Sequence, residues 1–441
     1  MQKTANKKTV SVLVIILIVI GVATAVTVGL FLFPYNPDEP PRADDVGSTP
    51  KGIQEVVNAN NQFAFDLYSE LAKTEKDNIF YSPYSISTAL AMTYEGAKGK
   101  TAEEIKEVFH FPETSVLRPN YAAIYNKINE NNKEYQLSTG NALWVQQDYL
   151  LLNDYSEAVE RYYGGKASNV DFIKETEKSR QTINSFIEEQ TNNKVKELIP
   201  AGQVDHLTRL VITNAIYFKG TWEWEFDKSD TRDKNFYITP ENVVKTPMMY
   251  MDSDKATFNY ADLEKLQILE LPYKGDKISM LILLPKQGEA YDYEKGEKIT
   301  YNYNLEDIEL SSEKLNEYKS EMQETKLGAI YLPKFKFDTK YFMVSTLSEM
   351  GMPTAFSMQA DLSGIDGSQN LYIQNVIHQA FVQVDEKGTE AAAATSIMIG
   401  FKSAMPSNVF RADHPFIFII QEKETGNILF MGRMTDPTKA Q

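Results

Sequence analysis

Apolar residues recur three and four positions apart over five stretches of the chain, and this spacing predicts amphipathic helices. The predicted helices cover residues 53–72, 85–94, 101–109, 176–191 and 341–350. Short alternating or fully apolar runs, which predict strands, concentrate in the second half of the chain. They cover residues 210–218, 266–271, 278–284, 329–333, 380–384, 416–421 and 428–433. Helices mainly before strands indicate an α+β fold rather than a strand–helix repeat.

Two local patterns refine this outline. Thr101 and Glu104 have the spacing of a capping box, which predicts that the third helix begins at Thr101. Residues 288–304 are rich in tyrosine and acidic residues and show weak periodicity. We therefore expect this stretch to be a surface insertion.

The N-terminus combines a basic start with a long apolar run. Lys3, Lys7 and Lys8 precede an apolar stretch at residues 10–33, and about 20 apolar residues span a bilayer as a helix. Lysines favour the cytoplasmic side, which places the rest of the chain outside. The sequence therefore predicts a membrane anchor or signal segment at 1–33 and an extracytoplasmic location.

Two alternatives for this segment stay open. Ala23-Thr24-Ala25 could be a signal-peptide cleavage site, although the chain remains apolar beyond it. The run could also be a buried core helix. Residues 34–51 are rich in proline and aspartate, which predicts a flexible linker, and a single folded domain is predicted at 52–441.

Composition removes several classes of function. The formal net charge is -16, which disfavours nucleic acid and anionic lipid as partners of the folded part. The chain has no cysteine and four histidines, none of them in a metal-binding spacing. No cofactor and no metal site are predicted.

Enzyme motifs are absent from the sequence or incomplete. Gly99-Lys100-Thr101 resembles the end of a phosphate-binding loop, but Tyr94 stands where that motif requires glycine. No G-x-S-x-G or H-E-x-x-H sequence occurs. The patterns therefore do not predict a catalytic residue.

The most informative region is residues 384–415, and within it the segment that ends at Gly400. Its run of alanines is by itself typical of a helix. With a period of two, however, Thr389, Ala391 and Ala393 share one face, and no proline interrupts the segment. Gly388 precedes it and tolerates positive φ, as a hinge requires. Such a segment could be an exposed loop in one state and a central strand in another.

Five motifs in order along the chain resemble those of the serpin family of serine protease inhibitors. They are Asn78-Ile79-Phe80-Tyr81-Ser82-Pro83-Tyr84-Ser85-Ile86, Thr191-Asn192-Asn193-Lys194-Val195-Lys196-Glu197-Leu198-Ile199-Pro200, Asn214-Ala215-Ile216-Tyr217-Phe218-Lys219-Gly220-Thr221-Trp222, the hinge at 386–395, and Phe410-Arg411-Ala412-Asp413-His414-Pro415-Phe416-Ile417-Phe418. The resemblance implies the serpin fold, with a large central, mostly antiparallel sheet, further sheets, about eight to nine helices and an exposed reactive-centre loop.

The resemblance also implies a mechanism in which the loop is bait. A serine protease attacks one loop bond, and the cut loop enters the main sheet before the acyl-enzyme is hydrolysed. The implied hinge residues are Glu386, Gly388, Thr389, Glu390, Ala391, Ala392, Ala393 and Ala394. Family spacing places the scissile bond at Lys402-Ser403, which predicts a trypsin-like target. Phe401 and Met405 are competing bait residues, and Lys402 could instead be an ordinary solubilising residue.

Two further features are carried over by resemblance. Ser82, Ser85, Asn214 and His378 are expected to form a buried polar cluster where the sheet opens, and Trp222 is expected at the top of the sheet. The alternative is that His378 and the two serines are ordinary satisfied core groups and that Trp222 is plain core packing. Few basic residues lie at 120–134, so no heparin site is expected, and the chain is predicted to be a monomer.

Three rival functions remain open at this stage. A non-inhibitory serpin would act as a carrier or interaction protein. A membrane-anchored hydrolase would turn over a substrate, and a structural surface protein would not need the hinge pattern. The uncharged, proline-free hinge favours the inhibitor.

Overall fold

A computed structural model describes residues 42–130, 134–252, 256–292, 297–389 and 408–439. The predicted anchor or signal segment at 1–33 and residues 34–41 of the predicted linker lie outside these residues. Within the described part, no helix has the length and apolarity to cross a membrane.

The described residues contain nine α-helices. They are α1 (Pro50–Thr74), α2 (Pro83–Gly96), α3 (Gly99–Val108), α4 (Thr114–Ile128), α5 (Asn153–Tyr163), α6 (Thr176–Gln190), α7 (Ser312–Ser320), α8 (Val344–Met350) and α9 (Ser363–Asp366). The first two start alike, with a hydroxyl cap followed by proline: Thr49 Oγ1 accepts from Gly52 N at 3.0 Å, and Ser82 Oγ accepts from Ser85 N at 3.1 Å. Proline suits the first helical position because its missing N–H has no helical partner there.

The described strands number nineteen. They are β1 (Ile79–Tyr81), β2 (Tyr135–Gln146), β3 (Lys166–Val170), β4 (Leu210–Thr221), β5 (Arg232–Tyr237), β6 (Val243–Met251), β7 (Phe258–Asp262), β8 (Leu266–Pro272), β9 (Ile278–Pro285), β10 (Gln287–Asp292), β11 (Glu297–Asn302), β12 (Gln323–Thr325), β13 (Ala329–Pro333), β14 (Phe335–Phe342), β15 (Asn375–Asp385), β16 (Gly388–Thr389), β17 (Val409–Arg411), β18 (Phe416–Glu422) and β19 (Ile428–Met434).

These strands form two large sheets, a smaller sheet and a hairpin. One large sheet has seven antiparallel strands in the order β1-β19-β18-β9-β8-β7-β12. The other has six strands in the order β14-β15-β16-β4-β2-β3, with parallel pairing between β4 and β15 and between β2 and β3. A four-stranded sheet has the order β17-β13-β6-β5, and β10 pairs with β11. The predicted α+β fold is confirmed.

Helix α2 links the two large sheets, because it contacts β2 and β4 on one side and β19 on the other. Nearly all of its residues are buried, which explains why its sequence shows little polar face. Phe80, just before α2, stacks on Phe418 and Phe430 with ring centroids 5.7 Å and 5.3 Å apart. These ring contacts therefore anchor the start of α2 on the seven-stranded sheet.

The five predicted helices are all present, with ends shifted by three residues or fewer, and the seven predicted strands are all present. Two starts differ: Tyr341 belongs to strand β14 and the helix begins at Val344, and β15 begins five residues before the predicted start at 380. The patterns did not predict α4, α5, α7, α9 or the twelve other described strands, among them the long strand β2. The expected insertion at 288–304 falls on the β10–β11 hairpin.

The predicted capping box is wrong. Helix α3 begins at Gly99, two residues earlier, and Lys98 occupies its N-cap without a side-chain bond. Thr101 Oγ1 instead accepts from Asp361 N at 2.9 Å. The Glu104 carboxylate accepts from Thr354 N at 2.9 Å and from Thr354 Oγ1 at 2.8 Å. Both side chains thus hold the loop after α8 rather than the start of their own helix.

The folded unit also starts earlier than the predicted boundary at residue 52. Ala43 is buried against α4, and its N–H donates to Asn126 Oδ1 at 2.8 Å. Asp44 N donates to Arg161 O at 2.7 Å. Ala43 and Asp44 of the predicted linker therefore contact α4 and α5, whereas Val46, two residues further on, is 83% exposed.

Replacing Glu104 with alanine should destabilise the protein. The change leaves Thr354 N–H and its hydroxyl without their acceptor, at a cost of about 1–3 kcal/mol. Urea unfolding would measure the loss. The matched control is Glu103→Ala, one residue away and exposed, which should change the unfolding free energy by about 0.5 kcal/mol or less. Equal effects of the two variants would contradict the assigned role of Glu104.

Candidate functional site

The candidate site lies in the six-stranded sheet, where the chain after β15 turns back into the sheet. Strand β16 is inserted between β15 and β4: Gly388 is opposite Asp385 and Thr221, and Thr389 is opposite Val384 and Gly220. Below this level β15 and β4 pair directly, in parallel, over 375–381 and 211–217. We call this line of pairing between β4 and β15 the seam. The hinge therefore enters the sheet at the upper end of the seam.

Gly388 is required by the contact it makes in this position. Its φ is +153°, in the region that side chains rarely adopt, and a Cβ atom would lie 2.0 Å from Gly220 O. Overlap with a backbone oxygen cannot be relieved by rotating a side chain. The predicted hinge glycine thus permits the chain to enter between the two strands.

Thr389 is the first side chain inside the sheet. It is 1% exposed, and its hydroxyl shares a hydrogen bond of 2.7 Å with the hydroxyl of Tyr273. Burial raises the pKa of Tyr273, although the bond to Thr389 works against this shift. The position accepts a small, uncharged side chain with a hydroxyl, which is what the sequence provides.

Trp222 holds the turn that precedes the hinge. Its ring stacks on Tyr273 with centroids 4.5 Å apart. Its Nε1 donates to Asp385 O at 3.0 Å, and its backbone N–H donates to Lys387 O at 2.7 Å. The structure thus places Trp222 at the top of the sheet, against the hinge.

Glu386 ties the same turn to two neighbouring elements. Lys334 Nζ donates to its carboxylate at 2.8 Å and 3.1 Å, and Thr231 Oγ1 donates at 2.9 Å. Burial opposes ionisation, but the hydrogen bonds from Lys334 and Thr231 keep the pKa of Glu386 below its usual value. Sequence reasoning did not identify Lys334 or Thr231, because neither lies in a recognisable motif.

The polar cluster predicted beneath the sheet is assembled, and it has a fifth member. Asn214 Nδ2 donates to Ser85 O at 2.6 Å and to Asn141 Oδ1 at 2.5 Å, and Ser85 Oγ donates to Asn141 Oδ1 at 2.9 Å. Ser82 Oγ donates to Leu429 O at 2.6 Å. Asn141 escaped sequence reasoning because strand β2, which carries it, was not predicted.

His378 completes the cluster as a neutral ring. Ser82 N–H donates to Nε2 at 3.1 Å, so Nδ1 must carry the hydrogen that binds Asn214 Oδ1. Burial disfavours the charged ring and lowers its pKa to about 3. His378 and Asn214 are opposite each other in the seam. Their hydrogen bond therefore joins the two strands that a further inserted strand would have to separate.

The remaining predicted site residues cannot be placed. Glu390, Ala391, Ala392, Ala393, Ala394, Lys402 and Ser403 lie outside the described residues, as do Phe401 and Met405. The described chain stops at Thr389, inside the sheet, and continues at Asn408 beside β17.

Comparisons with known proteins agree on one family. Residues 58–437 match the family model described as Serpin (serine protease inhibitor). An uncharacterised serpin-like protein of Methanosarcina acetivorans is 43% identical over 392 residues, covering 87% of this chain and 88% of that protein. Leukocyte elastase inhibitor A of Rattus norvegicus is 38% identical over 388 residues, covering 87% and 100%. The crystal structure of Serpin48, described as a highly specific serpin of the insect Tenebrio molitor, has a TM-score of 0.73 and 34% identity, covering 87% and 98%.

The neutral state of His378 makes stability depend on pH in a defined window. Its pKa is about 3 in the fold against 6.5 without the fold, so the unfolded chain binds the proton more readily between these values. Its contribution is complete above pH 6.5 and falls with the pH by up to about 1.4 kcal/mol per unit. Between pH 7 and pH 5, wild type should lose about 2 kcal/mol more unfolding free energy than His378→Gln in urea titrations. An equal loss in both proteins would show that His378 does not titrate in this way.

Proposed function

Because the chain belongs to the serpin family, we propose that it inhibits a serine protease by trapping it as a covalent complex. The observation that carries this proposal is the entry of Gly388 and Thr389 between β15 and β4. Strand β16 already pairs antiparallel with both β15 and β4, so residues after Thr389 could extend it along the same line. The sequence that follows supplies small residues, Ala391–Ala394, which fit between two existing strands without steric conflict.

The proposed reaction begins as ordinary proteolysis. The protease serine Oγ attacks the carbonyl carbon of the bait residue, an ester forms, and the amide bond to the next residue breaks. The leaving nitrogen takes a proton and becomes the new amino terminus at Ser403. Insertion of the freed loop then carries the ester away before water can hydrolyse it. Each of the roughly ten new ladder hydrogen bonds favours insertion by about 0.5–1.5 kcal/mol.

The polar cluster would control how far insertion proceeds. A strand that continues past Thr389 must separate His378 from Asn214, and these side chains are buried. Unpaired buried polar groups are costly, so opening is favourable only when the inserted strand replaces the lost pairing. The cluster therefore opposes insertion while the loop is intact. Once the loop has been cleaved, the freed strand can replace the pairing that is lost when the cluster separates.

We further propose Lys402-Ser403 as the cleaved bond and a trypsin-like enzyme as the target. The support is the family spacing from Gly388 and the charge of Lys402. The basic start and apolar run at the N-terminus support an extracytoplasmic, membrane-tethered domain.

Lys402 can be tested by substitution. Wild type should form an SDS-stable complex with trypsin, and mass spectrometry should locate the new terminus at Ser403. Lys402→Ala should slow complex formation at least about a hundredfold, because the pocket loses its cation partner, at a cost of about 2–3 kcal/mol. Lys402→Arg is the matched control and should retain the complex. A complex with chymotrypsin cut after Phe401 would overturn the assigned bond but not the inhibitory mechanism.

Thr389 can be tested by its size and charge. Thr389→Arg should convert the inhibitor into a substrate: trypsin still cuts the loop, but the stable complex largely disappears. Burying the guanidinium at this site costs several kcal/mol. Thr389→Ser keeps the hydroxyl for Tyr273 and should inhibit like wild type. The measurement is the number of inhibitor molecules consumed per protease inactivated. Clean cleavage of wild type without any complex would favour the carrier or interaction protein instead.

A further inference from the structure

One cross-strand row of side chains faces outward from the four-stranded sheet. Arg411 on β17 is opposite Tyr331 on β13, and Tyr331 is opposite Tyr250 on β6. Arg411 is exposed and the two tyrosines are half-buried, whereas the residues before and after each of them are buried. Because side chains alternate between the two faces of a sheet, this row stands on the face that meets solvent.

Arg411 differs from every other arginine of the chain. Each of the other seven donates a side-chain hydrogen bond to an oxygen of a described residue. The guanidinium of Arg411 finds no such oxygen in the described part of the chain; its Cζ instead lies 4.0 Å from the centroid of the Tyr331 ring. Tyr331 packs in turn on Tyr250, with ring centroids 5.1 Å apart. An aromatic ring thus holds the guanidinium in place while its N–H donors face solvent.

The row lies within reach of a protease bound to the bait. The described chain resumes at Asn408, three residues before Arg411. From the proposed bait residue Lys402, the six residues to Asn408 extend over at most about 22 Å, and the strand to Arg411 adds about 10 Å. A folded domain of about 200 residues is about 40 Å across. A protease seated on Lys402 is therefore wide enough to contact Arg411.

The chemistry of the row selects a partner surface that carries a carboxylate. The N–H groups of a guanidinium match the two oxygens of a carboxylate, and stacking on a ring fixes their direction. The whole chain has a net charge of -16, so it repels acidic proteins at a distance. The exposed cation near the bait gives an acidic protease one orientation in which this repulsion is relieved.

Resting on the inhibitory function proposed above, we propose that Arg411, held by Tyr331 and Tyr250, is a second docking contact for the target protease. Its guanidinium pairs with a carboxylate on the protease surface beside the active-site cleft. The contact forms before the loop is cut, so it sets how tightly the intact inhibitor and the protease first bind. Lys402 selects enzymes with a trypsin-like pocket, and Arg411 selects the acidic members among them.

The test uses the whole chain and anionic trypsin whose catalytic serine is replaced by alanine, because this enzyme binds the intact loop without cutting it. At about 50 mM salt, Arg411→Glu should raise the dissociation constant at least about tenfold. At about 500 mM salt the difference should fall to about threefold or less, since salt screens an exposed ion pair. Lys51→Glu is the matched control: it reverses the same charge at the exposed start of α1, beside the turn after β18, and should bind like wild type.

Should Arg411→Glu fail to fold in a urea titration, Arg411→Gln takes its place and should weaken binding at least about threefold. Equal binding by wild type and the Arg411 variant overturns the docking contact, as does the absence of any binding by wild type. A loss that salt leaves unchanged also overturns it, because that result assigns Arg411 the structural role of holding β17 on β13.

Active anionic trypsin separates this proposal from the inhibitory function. An SDS-stable complex with wild type, together with unchanged binding of the inert enzyme by the Arg411 variant, contradicts the docking contact alone. Docking that depends on Arg411 but leads to no stable complex contradicts the inhibitory mechanism alone.

Discussion

The seam between β4 and β15 is the constraint on which the rest of the structure depends. Buried backbone donors and acceptors must be paired, and the seam pairs them directly from Asn375 to Phe381 on β15. Above Phe381 the two strands diverge, and β16 supplies the pairing that they no longer give each other. A strand inserted more than two residues past Thr389 would have to break these direct pairs one after another. In the proposed mechanism, insertion would therefore run from the top of the seam downwards.

The two large sheets differ in how they are built around the seam. The seven antiparallel strands form one core with the stacked ring of Phe80. Helix α2 rests on that core and presents Ser82 and Ser85 to the six-stranded sheet. Ser82 bonds both to Leu429 O on β19 and, through its N–H, to His378 on β15. One serine thus joins the seven-stranded sheet to the six-stranded sheet.

Much of the fold and of the site could be predicted from the sequence, and the failures have physical causes. Periodicity located α1 and α2, whose apolar residues must face the core. The motifs identified Gly388 and Trp222, and the family resemblance supplied His378. Asn141 was missed because a polar residue buried in a strand interrupts the alternation that predicts strands. Lys334 and Thr231 were missed because tertiary contact alone brings them to Glu386. The capping box failed because Thr101 and Glu104 find better partners on a distant loop.

The contact between Gly388 and the carbonyl of Gly220 has a genetic consequence. Every amino acid that a single nucleotide change can produce from a glycine codon has a Cβ atom, and any Cβ here would lie 2.0 Å from that oxygen. No missense route out of this position avoids the collision, however conservative the replacement. Only synonymous changes are therefore neutral at codon 388, and every change of amino acid there must be accommodated by moving the backbone of β4.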